Sequence, residues 1–410
     1  MSLKTVILIE PSFYGVSYVK EAKKLDCYVI VVTSNSHHPQ KYGYETLYDD
    51  ILICDIRDAE QIFKAIQTGC HRHIDAIVAA TDYAITNTAI VAAKLDIPYL
   101  SVASAKLVRN KDLARQCYAK HGVPSAQFAV VSNLEESIKA ASHIGYPVVL
   151  KPTNTASSQH VYFICDSAAL TKAFIQMQAF HQSYMGFRVR EDYLIEEYLD
   201  GPEFSVELFV ENNELVFREV TEKRTSQLPY FVETMHVFPT SILSDKKPEI
   251  IAVAAQALRA IGFGNGPAHV EVKYTETGAK IVEVNGRPGG DNISSDLIPT
   301  AYQINIFEQA IRNALAMPVT FTSTKAASCA IGFICAPSSG QLLKLTNIAQ
   351  LQNDPAVIRY QIDAKPGDWV QSPTSSDDRL GYIIVKMPTP LQAKAKITHL
   401  IESIKIVLEK

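Results

Sequence analysis

Residues 267–292 read PAHVEVKYTETGAKIVEVNGRPGGDN, and a β-hairpin is the form that best accommodates them. Two short runs, His269–Tyr274 and Lys280–Val284, alternate apolar and polar residues. Glu276-Thr277-Gly278 joins them through a glycine turn. Side chains on a strand alternate faces, so His269, Glu271 and Lys273 share one face. By the same period Glu283, Asn285 and Arg287 share a face on the second run. Pairing the runs lays two carboxylates, an amide oxygen and a guanidinium on one surface. Hard oxygen ligands of that kind suit Mg2+, which keeps waters and bridges to substrate phosphates. Arg287, two residues past the last ligand, can neutralise charge on a transferring phosphoryl group. Gly289-Gly290 lets the backbone pass close to a ligand. A charge ladder on an ordinary surface hairpin would need neither the Asn nor the paired Gly.

The rest of the chain supplies the setting. Residues 1–105 alternate strands (Thr5–Glu10, Tyr28–Thr33, Asp50–Cys54, Asp75–Ala80) with helices (Gly15–Leu25, Ala59–Thr68, Asp82–Leu95), the βαβ pattern of a parallel sheet. Glu10-Pro-Ser-Phe-Tyr-Gly15 follows the first strand and lacks the G-x-G-x-x-G spacing, so dinucleotide binding is not expected. This lobe reads as a scaffold, or as a source of substrate contacts at its strand ends. Lys106–His121 reads as one helix containing Asn110-Lys111-Asp112. Then come a strand (Phe128–Val131), a helix (Leu134–Ile144) and a strand (Tyr146–Lys151) that ends in Lys151-Pro152. A lysine before the polar loop Thr153–His160 can hold phosphates, with loop N–H groups wrapping the oxygens. Further on, a strand over Tyr193–Glu196 leads through Glu197-Tyr198-Leu199 to a Gly201-Pro202 turn and a second strand, Glu203–Val210. A purine fits such a hinge, and Glu203 can reach ribose hydroxyls.

The segment 216–238 starts as a strand and continues as a polar, aromatic loop. Arg224, Tyr230, Phe231, Glu233 and His236 are its candidate pocket residues. Lys247–Ile261 is an amphipathic helix closed by Gly262, and Tyr302–Leu315 is a helix after the hairpin. Beyond residue 326, Cys329–Ile334, Val357–Asp363 and Gly381–Lys386 read as strands and Pro390–Leu408 as a final helix, with nothing that looks catalytic.

The totals exclude several classes. At 410 residues the chain is long enough for two to four domains with a large core. A net charge of −4 with no basic block weighs against a nucleic-acid partner. No apolar run approaches a membrane span, so no membrane partner is expected. The N-terminus leads straight into a strand without the ordered regions of a signal peptide. Seven cysteines form no CxxC, which argues for reduced, buried thiols and a cytoplasmic protein.

Together these pieces resemble the ATP-grasp superfamily of ligases over roughly residues 1–320, and the tail resembles the C-terminal domain of its biotin-carboxylase-like branch. EVNGRPGGDN and the segment after TEKR look most like the L-amino-acid ligases, or dipeptide synthetases. The resemblance implies an α/β ATP-grasp fold in three parts. These are an N-terminal Rossmann-like, parallel-sheet domain (1–105), an ATP-grasp domain (106–320, with a lid lobe at about 125–200) and a small α+β C-terminal domain (321–410). It implies ATP contacts from Lys111 and Lys151, from Ser157 and Ser158 in a mobile loop, and from Glu196, Glu197, Tyr198, Leu199 and Glu203. Glu271, Glu283 and Asn285 match the ligands of Mg2+ or Mn2+, and Arg287 the catalytic arginine. His269, Gly289, Gly290, Asp291 and Asn292 would border the acceptor substrate. The implied reaction joins a carboxylate to an amine through an acyl phosphate, with ADP released, in a homodimer acting on small molecules. Two other readings stand beside it. One is a carboxylase or purine-pathway type of enzyme using bicarbonate or formate. The other is a non-catalytic nucleotide-binding protein, suggested by the absence of glycine between Lys151 and His160, where relatives often have several.

Overall fold

The computed structural model describes residues 3–226, 228–242, 245–322 and 327–409, so Gln227 of the 216–238 segment lies outside the described residues. The N-terminal sheet is parallel, in the order Asp50–Ile53, Tyr28–Thr33, Thr5–Ile9, Ala76–Ala79. Thr5–Ile9 is buried along its whole length, as expected of a strand covered by helices on both faces. The chain moves outward from Thr5–Ile9 through Tyr28–Thr33 to Asp50–Ile53 and returns to Ala76–Ala79 on the other side, so the strand order reverses beside Thr5–Ile9.

A second, four-stranded sheet forms the small lobe, in the order Phe128–Val131, Tyr193–Glu197, Val148–Pro152, Tyr162–Ile164. The helices Leu134–Ile144 and Ser167–Gln178 cover it, each begun by a side-chain cap, Asn133 onto the Glu136 N–H and Asp166 onto the Ala169 N–H.

The largest sheet has eight strands. Gly278–Asn285, Gly266–Thr275, Glu203–Glu211, Glu214–Thr225 and Glu233–Phe238 come first, followed by Ser328–Ile334, Gly381–Met387 and Val357–Ile362. It therefore runs across the boundary anticipated at residue 321. Glu233–Phe238 is a strand, not the loop expected from sequence; its alternation pairs it with Ser328–Ile334.

Two helices also depart from expectation. Asn110 is extended (φ −123°, ψ 106°), which splits the expected Lys106–His121 helix into Val102–Arg109 and Lys111–His121. The final helix stops at Ser403, and Lys405–Glu409 is a strand beside Gly340–Thr346, because Ile406 and Leu408 recur at the strand period.

Candidate active site

The hairpin forms as its periodicity requires. His269 lies opposite Asn285 and Glu271 opposite Glu283, with a bulge only after Glu271. The neighbouring strand extends the polar face, since Glu207 lies opposite His269 and Ser205 opposite Glu271. Next along, Lys223 faces Glu203. The Lys223 ammonium is buried 2.9 Å from Glu203, 2.8 Å from Glu271 and 3.6 Å from Glu233. Burial disfavours its charge, but the three carboxylates more than offset this and hold Lys223 well above the ordinary lysine range. Burial likewise pushes Glu271 up, and Lys223 with His269 overcomes it, so this carboxyl lies well below its usual range.

His269 Nδ1 lies 2.9 Å and 3.1 Å from the two Glu207 oxygens. Burial opposes its charge, yet the Glu207 carboxylate prevails and the imidazole is pushed up from 6.5 to about 9. A group raised on folding stabilises fully below its unfolded value and loses that contribution as pH rises through its folded value. Unfolding free energy is therefore expected to fall between about pH 6.5 and 9, and His269→Gln should flatten that slope. Denaturant unfolding at a series of pH values checks this; equal slopes in both proteins would refute it.

The helix break at Asn110 sets the opposite side of the site. It places Lys111 at the start of a helix, with its N–H bonded to Thr153 O at 2.8 Å and its ammonium 2.6 Å from Thr155 O. The same ammonium reaches Glu283 at 2.9 Å. Lys151 stands on the small-lobe sheet, 2.5 Å from Glu196. Burial, opposed by Glu196, leaves Lys151 below the ordinary lysine range. Arg115 grips the same carboxylate at 2.6 Å and the carbonyl of Val282 at 2.7 Å. In the loop that follows, Ser157, Ser158 and His160 have φ of 61°, 52° and 55°. These residues adopt the left-handed backbone that glycine supplies in other loops, at roughly 1–2 kcal/mol per residue.

Arg287 is held from three sides. Its Nε lies 3.4 Å from buried Asp82 of the N-terminal domain, its Nη1 donates to Pro288 O at 3.0 Å, and its guanidinium lies over Tyr14, 5.1 Å from the ring centroid. Asp82 also pairs with Arg109.

These groups line one cavity of about 960 Å³. Lys111, Lys151, Ser157, Ser158, Glu196 and Glu197 are on its wall, as are Tyr198, Leu199, Glu203, Glu271, Glu283 and Asn285, and so are His269, Arg287, Gly290 and Asp291. Four sequence expectations need correction. Glu196 is not a free hinge acceptor, because Arg115 and Lys151 occupy its carboxylate. Gly289 is off the cavity wall and closely packed: a Cβ there would lie 2.6 Å from Glu207 and 2.9 Å from His269. Asn292 turns away to bond Asp296 at 2.9 Å. The tail is not remote, since Arg379 makes a two-point bond to Asp291, at 2.8 and 2.9 Å, on the cavity wall.

Sequence reasoning also chose Arg224, which is exposed on the far side of its strand, where Lys223 faces inward. Tyr230 is not on the cavity wall, while Phe231, Glu233 and His236 are. Glu207 was missed; the alternation Glu203, Ser205, Glu207 carries its signal. Among the described residues no three His, Cys, Asp or Glu side chains converge as a metal cage. Glu271, Glu283 and Asn285 form a sparser set of hard oxygen donors, with the two carboxylates already facing Lys223 and Lys111. Such a set suits an ion that keeps several waters.

Comparison with known proteins gives the domains of the chain. Residues 144–296 match the ATP-grasp domain family and residues 332–409 match L-amino acid ligase C-terminal domain 2. An ATP-grasp domain thus spans residues 144–296 of the chain. Its C-terminal domain is of the L-amino acid ligase kind. It is similar to an L-arginine-specific L-amino acid ligase of Bacillus subtilis (21% identity, 81% of this chain and 78% of that one). It is similar also to the alanine–anticapsin ligase of that organism (27%, 54% of this chain), of whose length the match spans only 50%. In fold it resembles the crystal structure of an L-amino acid ligase from Bacillus licheniformis over the whole of both chains, with a TM-score of 0.84 at 20% identity.

Proposed function

We propose that this chain joins two amino acids, or an amino acid and a related amine, with hydrolysis of ATP to ADP. The observation that carries this reading is the convergence of Glu271, Glu283 and Asn285, opposite Lys111 and Lys151, with Arg287 beside them in one cavity. In this reading a substrate carboxylate oxygen attacks the γ-phosphorus of ATP. The bond to the ADP oxygen breaks and an acyl phosphate forms. The amine nitrogen of the second substrate then attacks the acyl carbon, and phosphate and a proton leave. The protein supplies mainly position and charge, as phosphoryl transfer requires.

Lys111 and Lys151 hold the phosphates, and Glu197, Tyr198 and Leu199 border the adenine at the hinge. Arg287 faces the oxygens on which charge develops. Glu271, Glu283 and Asn285 would hold Mg2+ or Mn2+, which offsets phosphate charge. His269, which the Glu207 carboxylate pushes up, adds a favoured positive charge to the cavity wall. Two features favour turnover over nucleotide storage: the glycine-like backbone of Ser157 and Ser158, and the intact hairpin set.

The test is Mg2+-dependent phosphate release from ATP across single and paired amino acids, with bicarbonate and formate as parallel substrates. Release that requires a pair is the expected result. Glu283→Ala should lose roughly 100-fold or more in turnover while still binding ATP. Release with bicarbonate or formate alone, or full activity of Glu283→Ala, would overturn the reading.

A further inference from the structure

The N-terminal lobe contributes an aromatic wall to the cavity. Phe13 and Tyr42 stand at its mouth with ring centroids 5.2 Å apart, and Tyr184 of the small lobe lies edge-on to Phe13 at 6.0 Å. Phe13 is 60% exposed and Tyr184 43%. Large rings gathered at a cavity mouth and left in water mark a recognition surface. This wall begins at the reacting centre, because Tyr14, the next residue after Phe13, lies under the Arg287 guanidinium. It ends at the Thr153–His160 loop, whose Ser157 lines the same cavity as Tyr184.

The wall is also built to hold its shape. Glu10 and Phe13 have φ of 53° and 48°, a backbone region that side chains of this size seldom adopt. Glu10 is fully buried, and its carboxylate binds His38 Nδ1 at 2.5 Å, Thr33 Oγ1 at 2.8 Å and the Ser34 N–H at 2.7 Å. One buried carboxylate thus fixes the turn that presents Phe13 and the His38 ring that packs on Tyr42 at 5.5 Å. Of the nearby rim charges, Lys41 lies 5.0 Å above Tyr42, while Arg57 bonds Gly186 O at 3.2 Å and is paired with Asp55 at 2.7 Å. A flat apolar side chain gains ring contacts against this wall.

We propose that Phe13, Tyr42 and Tyr184 form the side-chain subsite for an aromatic amino acid, the substrate whose carboxylate is activated beside Arg287. This rests on the ligase reading of the cavity. The test compares phosphate release with phenylalanine, tyrosine, leucine, alanine, arginine and glutamate, each paired with glycine as the amine. The full-length protein should favour the aromatic acids in kcat/KM by about 10-fold or more over alanine and arginine. Phe13→Ala and Tyr42→Ala should each lower the phenylalanine-to-alanine ratio of kcat/KM by about 10-fold, chiefly through KM. Thermal melts of both variants identify any loss that comes from misfolding, and Tyr42→Phe should keep the ratio. A preference for glutamate, arginine or alanine, or losses spread equally over all substrates, would overturn the subsite while leaving the ligase reading intact. Release only with bicarbonate or formate would overturn the ligase reading and the subsite with it.

Discussion

Arg287→Ala is expected to lower ATP turnover by about 10²–10³-fold with nucleotide affinity little changed. The guanidinium is held in place before any substrate arrives, by Asp82 at 3.4 Å, by Pro288 O at 3.0 Å and by the Tyr14 ring. Preorganised charge of this kind acts on the transition state more than on the bound nucleotide. Its removal leaves Asp82 still paired with Arg109, so the fold keeps a partner for that buried carboxylate. Arg287→Lys should recover little, because an ammonium lacks the planar fork and the ring contact. Steady-state turnover, set beside equilibrium binding of a fluorescent ATP analogue, separates the two effects. Turnover near wild type would remove Arg287 from the reacting centre.

The second large effect concerns stability. Lys223→Met keeps the length of the side chain and removes its charge, leaving Glu203, Glu233 and Glu271 facing one another. Breaking a buried pair in this way costs about 3–5 kcal/mol. The pH dependence gives a further check. Glu271 is held below its ordinary range, so its contribution is present above the unfolded value near 4.5 and is lost as pH falls through the folded value. The deficit of the variant should therefore be large at neutral pH and shrink on acidification. Urea unfolding of both proteins measures it, and a variant as stable as wild type at neutral pH would refute the account.

Much of the site was legible in the sequence because strands repeat every two residues. His269, Glu271, Glu283 and Asn285 needed only that period and a glycine turn, and their observed pairing follows it. The same rule explains the error at Arg224: one step along a strand reverses the face, and Lys223 is the inward neighbour. Other features leave no local trace. Asp291 and Arg379 are separated by 88 positions and meet through the packing of the C-terminal domain on the hairpin. Asp82 meets Arg287 in the same long-range way. The split helix at Asn110 was missed because its flanks are both helical in pattern, and only the backbone angles reveal the corner that delivers Lys111. In the phosphate loop a missing glycine suggested stiffness, whereas Ser157 and Ser158 take the glycine-like conformation themselves.

The continuous eight-stranded sheet has a mechanical consequence. Glu233–Phe238 and Ser328–Ile334 are hydrogen-bonded side by side, so the hairpin and the C-terminal domain make one girder. The four-stranded sheet is a separate leaf, and it carries Lys151 while Lys111 stays near the frame. The two lysines that line the cavity therefore rest on different supports. Arg115 ties the two together, bonded to Glu196 of the leaf and to the Val282 carbonyl of the girder. One buried side chain thereby couples the supports of both lysines.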